Sequence, residues 1–393
     1  MRKIKNDVYW VGYIDWDLRN FHGYDTPHGS TYNAYLILDE KPTLIDSVKH
    51  YGADEMIRRI KQVIDPSKIQ YIISNHTEMD HSGSIDVLLK HCPNAQVVCS
   101  PKGEEGLSRH FKKNWNFKVV NTGDTLDIGK RKLTFMLMPM VHWPDSMATY
   151  SAEDKILFPN DAFGQHYAST ERFADEIGVG LAYDEAAKYY ANIVLPFGSQ
   201  VLKALEGASK MDFDMICPSH GMIWRGKEQI TGLVQRYVKW ANYESDAQVC
   251  ITYDSMWHST EAMAKRFYEV IDMAGIPVKL MNLQTSHMSD VVTDVLKSKV
   301  VLFGTSMLNN RMLPTVGALM MYLKGLKPKN RFALSFGSYG WSMVGFKELE
   351  TSIQDAGFEL LGEGKYIRFI PDQDELAKLD SILPLIQAKL AAK

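Results

Sequence analysis

The sequence lacks several features that would assign it to a common class of protein. Its four cysteines, Cys92, Cys99, Cys217 and Cys250, show no CxxC spacing, so neither a zinc ribbon nor a rubredoxin-type iron site is expected. Disulfide-rich scaffolds carry a much higher density of cysteine, and we therefore expect reduced thiols. The patterns GxGxxG and GxxxxGK[ST] are also missing, which disfavours dinucleotide and nucleoside triphosphate binding.

An excess of charge of one sign is missing as well. Lys and Arg number 44 and Asp and Glu number 47, giving a formal net charge of −3, whereas nucleic-acid and membrane-surface proteins usually carry a basic excess. The longest apolar run, from Leu133 to Val141, is about half a membrane span. The charged N-terminus lacks the apolar stretch of a signal peptide. We predict a cytoplasmic protein with no nucleic-acid or membrane partner.

The 393 residues are 45% hydrophobic, a globular composition that suits two or three domains. Up to residue 246, short β-rich runs mix with helical patterns, which predicts packed sheets with helices outside. From residue 247, apolar strands such as Val249–Thr252 and Val300–Phe303 alternate with helical patterns. That alternation is typical of a parallel sheet covered on both faces. We therefore predict two domains, residues 1–246 and residues 247–393.

Histidine and carboxylate residues follow the ends of several predicted strands in the first domain. Chain segments that leave strand ends often gather functional side chains on a rigid scaffold. A single histidine in a loop has many ordinary explanations, but four strand ends carrying such residues in one domain predict a metal site. The candidate ligands are His76, Glu78, Asp80, His81, His142, Asp161 and His220.

Seven ligands are too many for one tetrahedral zinc. They suit two metal ions, each with three terminal ligands, and a carboxylate that bridges the pair. No thiolate is included, and imidazole suits either zinc or iron. The added carboxylates favour iron or manganese. The residues alone leave these metals open.

Three loops of the second domain leave strands at their carboxyl ends, where doubly wound sheets bind ligands. The first loop carries hydroxyls at the start of a helix, an arrangement suited to a terminal phosphate. Glycines in the other two would let the backbone approach a flat ring. The predicted cofactor contacts are Ser255, Met256, Trp257, His258, Ser259, Thr260, Ser306, Met307, Leu308, Asn309, Ser338, Tyr339, Gly340 and Trp341.

The metal loop resembles the HxHxDH motif of the metallo-β-lactamase fold, with Glu78 in place of the second histidine. That replacement, together with His142, Asp161 and His220, is similar to the A-type flavodiiron protein family, and the resemblance covers essentially the whole chain. It implies an N-terminal metallo-β-lactamase-like αββα sandwich and a C-terminal flavodoxin-like doubly wound parallel sheet. The loop at residues 252–260 resembles the flavodoxin phosphate loop, so the implied cofactor is FMN.

The resemblance also assigns roles to residues. It implies that His76, Glu78 and His142 hold one iron, that Asp80, His81 and His220 hold a second iron, and that Asp161 bridges them. It places His22, and Tyr190 or its neighbour Tyr189, beside the metals as donors of hydrogen bonds or protons to bound oxygen species.

The implied activity is reduction of dioxygen to water, of nitric oxide to nitrous oxide, or of both. The electron donor would be external, either rubredoxin or a reduced deazaflavin or flavin reductase, because the chain has no CxxC pairs for an internal rubredoxin. A head-to-tail homodimer or a dimer of dimers is also implied, with Trp341 near the partner's metal site. Two alternatives remain at this stage: a dizinc metallo-hydrolase with an accessory flavodoxin-like domain, and a plain electron carrier.

Overall fold

The computed structural model describes residues 1–391, and its contacts divide the chain into two compact units. The first unit comprises Met1–His22, Thr26–Tyr189 and Ser199–Val238. The second comprises Gly23–Asp25, Tyr190–Gly198 and the chain from Lys239 on. Two short segments of the N-terminal half therefore pack with the second unit. The domain limits 1–246 and 247–393 stay a prediction, and residues 392 and 393 lie outside the described residues.

Two sheets form the body of the first unit. In spatial order, the first sheet contains the strands Arg2–Lys5, Val8–Trp10, Tyr35–Ile37, Thr43–Ile45, Tyr71–Ile73, Gln96–Cys99 and Phe117–Val119. The second contains Thr125–Asp127, Lys132–Leu137, Met147–Ser151, Ile156–Phe158, Met215–Ile216 and Trp224–Arg225. The strands Tyr13–Asp15 and Ser30–Tyr32 pair separately, and Asn20–Phe21 and Tyr24–Asp25 are further short strands.

Both faces of the first sheet are buried. Tyr35 and Ile37 belong to the apolar cluster between the two sheets, whereas Leu36 belongs to the cluster on the opposite face. This division follows from the alternation of side chains along a strand. The helix Ala53–Lys61 presents Met56 and Ile60 to the outer cluster, at the spacing of one helix face. The predicted sandwich with outer helices is confirmed.

The helices of the first unit connect and cover these sheets. The α-helices are Ala53–Lys61, Met79–Ser82, Ile85–Leu89, Pro101–Phe111, Ala174–Ile177, Val179–Tyr189, Gly198–Ala208 and Lys227–Ala241, the last two continuing into the second unit at one end. Short 3₁₀ turns occur at His50–Gly52 and Pro66–Lys68.

The second unit is built on a parallel sheet with the spatial order Val278–Asn282, Asp246–Tyr253, Ser298–Gly304, Phe332–Tyr339 and Glu359–Leu360. Lys365–Arg368 also pairs with Phe332–Tyr339, in parallel. A small antiparallel pair joins Met307–Leu308 to Arg311–Met312. The predicted flavodoxin-like doubly wound sheet is confirmed. Asp246–Tyr253 is the first strand of this sheet along the chain, yet it lies second in the spatial order, as in flavodoxin-like sheets.

Helices cover this parallel sheet. They are Ser259–Met273, Met288–Lys297, Pro314–Leu326, Val344–Asp355, Gln373–Lys378 and Leu383–Ala391, with a 3₁₀ turn at Leu379–Ile382. The segment Tyr190–Phe197 forms a π-helical turn followed by a 3₁₀ turn. Among residues 1–391, none of the helices has the length and apolar character needed to cross a membrane.

An ion network is buried at the end of the second sheet in the first unit. The Arg131 guanidinium donates hydrogen bonds to Asp154 Oδ2 at 2.6 Å and to Asp39 Oδ2 at 2.9 Å. Burial would raise the pKa of Asp154, but hydrogen bonds from Arg131 and Asn6 outweigh it, so the pKa lies below its usual value. The network is therefore charged and depends on each partner.

We expect Arg131→Met to lower the free energy of unfolding by about 3–5 kcal/mol, because it leaves a buried carboxylate without its cation. The matched control is Arg109→Met, since Arg109 has a 78% exposed side chain and pairs with Glu105 at 3.5 Å. Loss of that exposed pair should cost less than about 1 kcal/mol. Urea denaturation followed by circular dichroism measures both, and equal losses would contradict the assignment.

Candidate metal centre and cofactor cavity

Four segments of the first unit carry the predicted ligands, and each follows a strand. Residues 76–81 follow Tyr71–Ile73, and His142 follows Lys132–Leu137. Asp161 follows Ile156–Phe158, and His220 follows Met215–Ile216. The first of these strands belongs to one sheet and the other three to the second. The site is therefore assembled from both layers of the sandwich.

Asp46, which the sequence analysis does not single out, ties two of these segments together. Its carboxylate accepts hydrogen bonds from the backbone N–H of Asn75 at 2.8 Å and from the side chain of Asn75 at 3.0 Å. It also accepts one from the side chain of Asn160 at 3.2 Å. Burial nevertheless raises the pKa of Asp46. One buried carboxylate thus holds the loops that precede His76 and Asp161.

The first ligand group contains His76, Glu78, His142 and Asp161, whose ligand atoms lie within 4.8 Å of one another. Glu78 Oε2 lies 3.4 Å from the Nε2 atoms of both His76 and His142. Asp161 Oδ2 lies 3.6 Å from Nε2 of His76 and 3.3 Å from Nε2 of His142. Two imidazoles and two carboxylates therefore converge on one point.

The second group contains Asp80, His81 and His220. Asp80 Oδ2 lies 3.2 Å from Nε2 of His220 and 3.4 Å from Nε2 of His81. Asp161 faces this group with its other oxygen, because Oδ1 lies 3.0 Å from Nε2 of His81 and 3.3 Å from Nε2 of His220. The two oxygens of one carboxylate thus face two ligand groups.

The other ring nitrogen of two histidines is held by the protein. Nδ1 of His76 lies 3.0 Å from Asp145 Oδ2, and Nδ1 of His220 lies 2.8 Å from the carbonyl oxygen of Thr31. A hydrogen bond at Nδ1 fixes the tautomer that presents Nε2 as a ligand. The Asp145 carboxylate also accepts a hydrogen bond from the backbone N–H of Thr77. Asp145 lies three residues after His142, and sequence reasoning missed it.

The electrostatics of the cluster show that it requires positive charge. Burial would lower the pKa of His142 and His220, but Asp161 and the other carboxylates raise the pKa to about 9 and about 10. Burial would raise the pKa of Asp161, yet the surrounding histidines hold the pKa well below its usual value. The carboxylates thus favour positive charge at these rings, and a bound cation would satisfy the same requirement.

Unsatisfied atoms in the cluster lead to the same conclusion. Both carboxylate oxygens of Asp80, both ring nitrogens of His81 and Oδ2 of Asp161 are buried and make no hydrogen bond among the described residues. Buried polar atoms are normally hydrogen-bonded or coordinate a metal. The donor set of imidazole nitrogens and carboxylate oxygens suits iron. The residues present therefore fit a pair of metal ions.

The structure separates the two tyrosine candidates. The Tyr189 ring lies 5.9 Å from the His220 ring, whereas the Tyr190 ring packs on Trp240 at 5.1 Å and belongs to the second unit. Consecutive helical residues point about 100° apart, so only one of the two can face the cluster. Of the two predicted alternatives, the ring contacts favour Tyr189, and the role of either tyrosine stays a prediction. His22 stays beside the cluster, with Nε2 3.5 Å from Glu78 Oε1.

His166 is a further histidine near the cluster that sequence reasoning missed. Its ring centre lies 4.8 Å from that of His220, and Nδ1 lies 2.8 Å from the hydroxyl of Ser30. Burial and the nearby His220 hold the pKa of His166 well below its usual value. The signal that could have found it is its position five residues after Asp161.

The second unit contains a cavity of about 800 Å³ at the carboxyl ends of its strands. Its lining residues are Met256, Trp257, Ser259, Ser306, Met307, Asn309, Asn310, Ser338, Tyr339, Gly340, Trp341, Ser342, Phe369 and Ile370. All three predicted loops contribute, while the predicted contacts Ser255, His258, Thr260 and Leu308 do not line it. Phe369 and Ile370 follow the strand Lys365–Arg368, a fourth segment that sequence reasoning missed.

Polar groups beside this cavity suit a phosphate. The Thr260 hydroxyl lies 3.0 Å from the hydroxyls of both Ser306 and Ser338, so it joins all three loops. The buried hydroxyls of Thr252 and Ser255 have no hydrogen-bond partner among the described residues. They lie just before the helix Ser259–Met273, whose N-terminus favours an anion. Cavity volume, aromatic rim and hydroxyl groups together fit a flavin mononucleotide.

Comparisons with known proteins agree with this geometry. The model of the ODP family beta lactamase matches residues 31–221, and the flavodoxin model matches residues 251–379. A nitric oxide reductase from Moorella thermoacetica is 41% identical, covering 99% of this chain and 98% of that protein. The structure of rubredoxin oxygen:oxidoreductase from Desulfovibrio gigas superposes with a TM-score of 0.96 at 40% identity, covering 100% of both chains.

A flavodiiron protein from Giardia intestinalis has a TM-score of 0.95 at 36% identity, covering 98% of this chain and 96% of that one. The relatives are named as oxidoreductases, so an oxidoreductase is confirmed and favoured over the dizinc hydrolase. Such identity over nearly the whole length includes both units. This chain belongs to the flavodiiron protein family, whose cofactors are FMN and a diiron centre.

Proposed function

We propose that this protein reduces dioxygen to water, nitric oxide to nitrous oxide, or both, with electrons passing from FMN to a pair of iron ions. The observation that carries the proposal is the position of Asp161. Its Oδ1 faces His81 and His220, and its Oδ2 faces His76 and His142. A buried carboxylate between two ligand groups is the arrangement of a two-metal site.

In this proposal His76, Glu78 and His142 would hold one iron, Asp80, His81 and His220 would hold the other, and Asp161 would be shared between them. The iron pair would supply Lewis-acid and redox chemistry, because two ferrous ions and a reduced flavin together carry the four electrons that reduction of dioxygen to water requires. Asp145 and the carbonyl of Thr31 keep two ligand imidazoles in the correct tautomer.

We assign proton delivery to Tyr189 and His22. Burial and the neighbouring carboxylates raise the pKa of Tyr189 well above its usual value, so its hydroxyl stays protonated and can donate a hydrogen bond. The side chain of His22 is 74% exposed and lies beside Glu78. It can therefore exchange protons with solvent on one side and reach the site on the other.

FMN would occupy the cavity of the second unit, with its phosphate at the start of the helix Ser259–Met273 and its ring near Tyr339. The rim residues Trp257 and Trp341 are 85% and 87% exposed. Two large aromatic side chains exposed to this degree at the rim of a cavity are typical of an interaction surface. They support an external electron donor and a head-to-tail homodimer, or a dimer of dimers, in which this rim contacts a partner.

Rubredoxin is the proposed donor, supported by the name of the Desulfovibrio gigas relative, with a reduced deazaflavin or flavin reductase as the other source. A cytoplasmic location is proposed with it. All four cysteines are buried and unpaired, and burial raises the pKa of each thiol. Reduced thiols of this kind suit a reducing compartment.

Anaerobic reduction followed by stopped-flow mixing with dioxygen or nitric oxide tests the function. We expect rapid reoxidation of the flavin and consumption of at least one gas, because the two cofactors are linked by electron transfer. Metal analysis of the same sample should show iron, and absorption spectra should show flavin bands. Zinc in place of iron, without flavin bands, would favour the hydrolase instead.

His142→Ala should lower gas reduction by roughly 10- to 100-fold or more, because it removes a ligand of the first group. FMN absorption should not change, since this residue and the flavin cavity belong to different units. Iron analysis and flavin absorption distinguish the two effects. His110→Ala is the control, as His110 is exposed on the helix Pro101–Phe111. Loss of FMN from the His142 variant would refute the prediction that the two units bind their cofactors independently.

Thr260→Val should weaken FMN binding about 10-fold, because the isosteric side chain cannot hydrogen-bond the loops that carry Ser306 and Ser338. Titration of the FMN-free protein, followed by quenching of flavin fluorescence, measures the dissociation constant. Thr351→Val is the control, since Thr351 is exposed in the same unit and bonds to the Lys347 carbonyl. Unchanged affinity in both variants would exclude this hydroxyl from cofactor binding.

A further inference from the structure

A small apolar cavity of about 20 Å³ lies inside the first unit. Side chains such as Leu157, Val201 and Leu205 line it. Tyr237 also lines it, and the hydroxyl of Tyr237 is satisfied because it accepts a hydrogen bond from the backbone N–H of Phe163 at 2.7 Å. Its volume is about that of one water-sized probe, and apolar cavities stay dry and bind xenon. The chemistry of this inner cavity therefore suits a small uncharged molecule.

The inner cavity reaches the back of two ligand loops. Val141 and Ala162 are among its lining residues. Val141 immediately precedes the ligand His142, and Ala162 immediately follows the ligand Asp161. A molecule in the inner cavity is thus separated from the first ligand group by the thickness of these loops. No catalytic role assigned above uses this space.

An outer groove of about 650 Å³ leads toward the inner cavity from the surface. It runs between the strand Lys132–Leu137 and the helix Gly198–Ala208. Met136, Met138 and Ala204 line both the outer groove and the inner cavity, so they form the junction between them. Methionine side chains are flexible and change rotamer easily. Rotation of these side chains would therefore be enough to connect the groove with the inner cavity.

We propose that the groove, the junction and the inner cavity form a passage that delivers dioxygen or nitric oxide to the metal centre. The inference rests on the proposed function and adds a route for its substrate. Both gases are small and nearly apolar, so they enter apolar cavities that exclude water and ions. Protons require polar groups and would use the side of the cluster at His22 and Glu78. Gas and protons thus approach the metals through different surroundings.

Xenon under pressure tests the passage without any catalytic activity. Crystals of the wild-type protein exposed to xenon should show a bound atom in the inner cavity or at its junction with the groove, because this space is apolar. Ala204→Leu places a larger side chain at the junction and should lower the xenon occupancy. Glu206→Leu is the matched control, since Glu206 is exposed on the same helix and lines neither cavity. Absence of xenon from both the inner cavity and the junction of the wild-type protein would overturn the proposal.

Kinetics of the loaded enzymes provide the second measurement. Ala204→Leu should lower kcat/KM for the gas about 10-fold and leave kcat at saturating gas nearly unchanged, because entry is slowed and the chemistry is not. Iron content, FMN content and melting temperature should match those of the Glu206→Leu enzyme. Equal kcat/KM in the two variants would refute delivery through the junction. Failure of the proposed function is a different result, in which the iron- and FMN-loaded wild type consumes neither gas.

Discussion

The first unit depends on the burial of Asp161 among four imidazoles. Its carboxylate oxygens face two pairs of histidine nitrogens at 3.0–3.6 Å, in a place from which water is largely excluded. Such a cluster is stable only when its carboxylates and ring nitrogens share positive charge. The residues that meet this condition follow strand ends in both sheets. Much of the polar structure around the site follows from it.

The supporting residues keep the ligands in place. Asp46 joins the loops before His76 and Asp161, and Asp145 orients His76. These residues are not among the candidate ligands, but the ligands would lose their orientation without them. The second unit uses a different principle. There the Thr260 hydroxyl links the three loops of a cavity that is open to solvent, as suits a cofactor that must accept electrons from outside.

The sequence predicted the sandwich and the parallel sheet. It also named the seven candidate ligands that the structure gathers into two groups, because ligand type and position after a strand are properties of the chain itself. It did not predict Asp46, Asp145 or His166. These residues act through contacts with segments distant in sequence, such as Ser30 for His166. The sequence left Tyr189 and Tyr190 as neighbouring candidates. Choosing between neighbours requires the rotation of a helix about its axis, which local sequence leaves open.

The sequence by itself determined which chemical groups are available. Histidine and carboxylate at four strand ends, without cysteine ligands, limit the metals, and small polar residues before a helix indicate a phosphate site. Only the tertiary structure decided how those groups meet. It directed one oxygen of Asp161 to each ligand group, placed Tyr189 beside His220, and left an apolar cavity behind His142. The reason is physical: residue type fixes the chemistry of a side chain, whereas its distance to another depends on how sheets and helices pack.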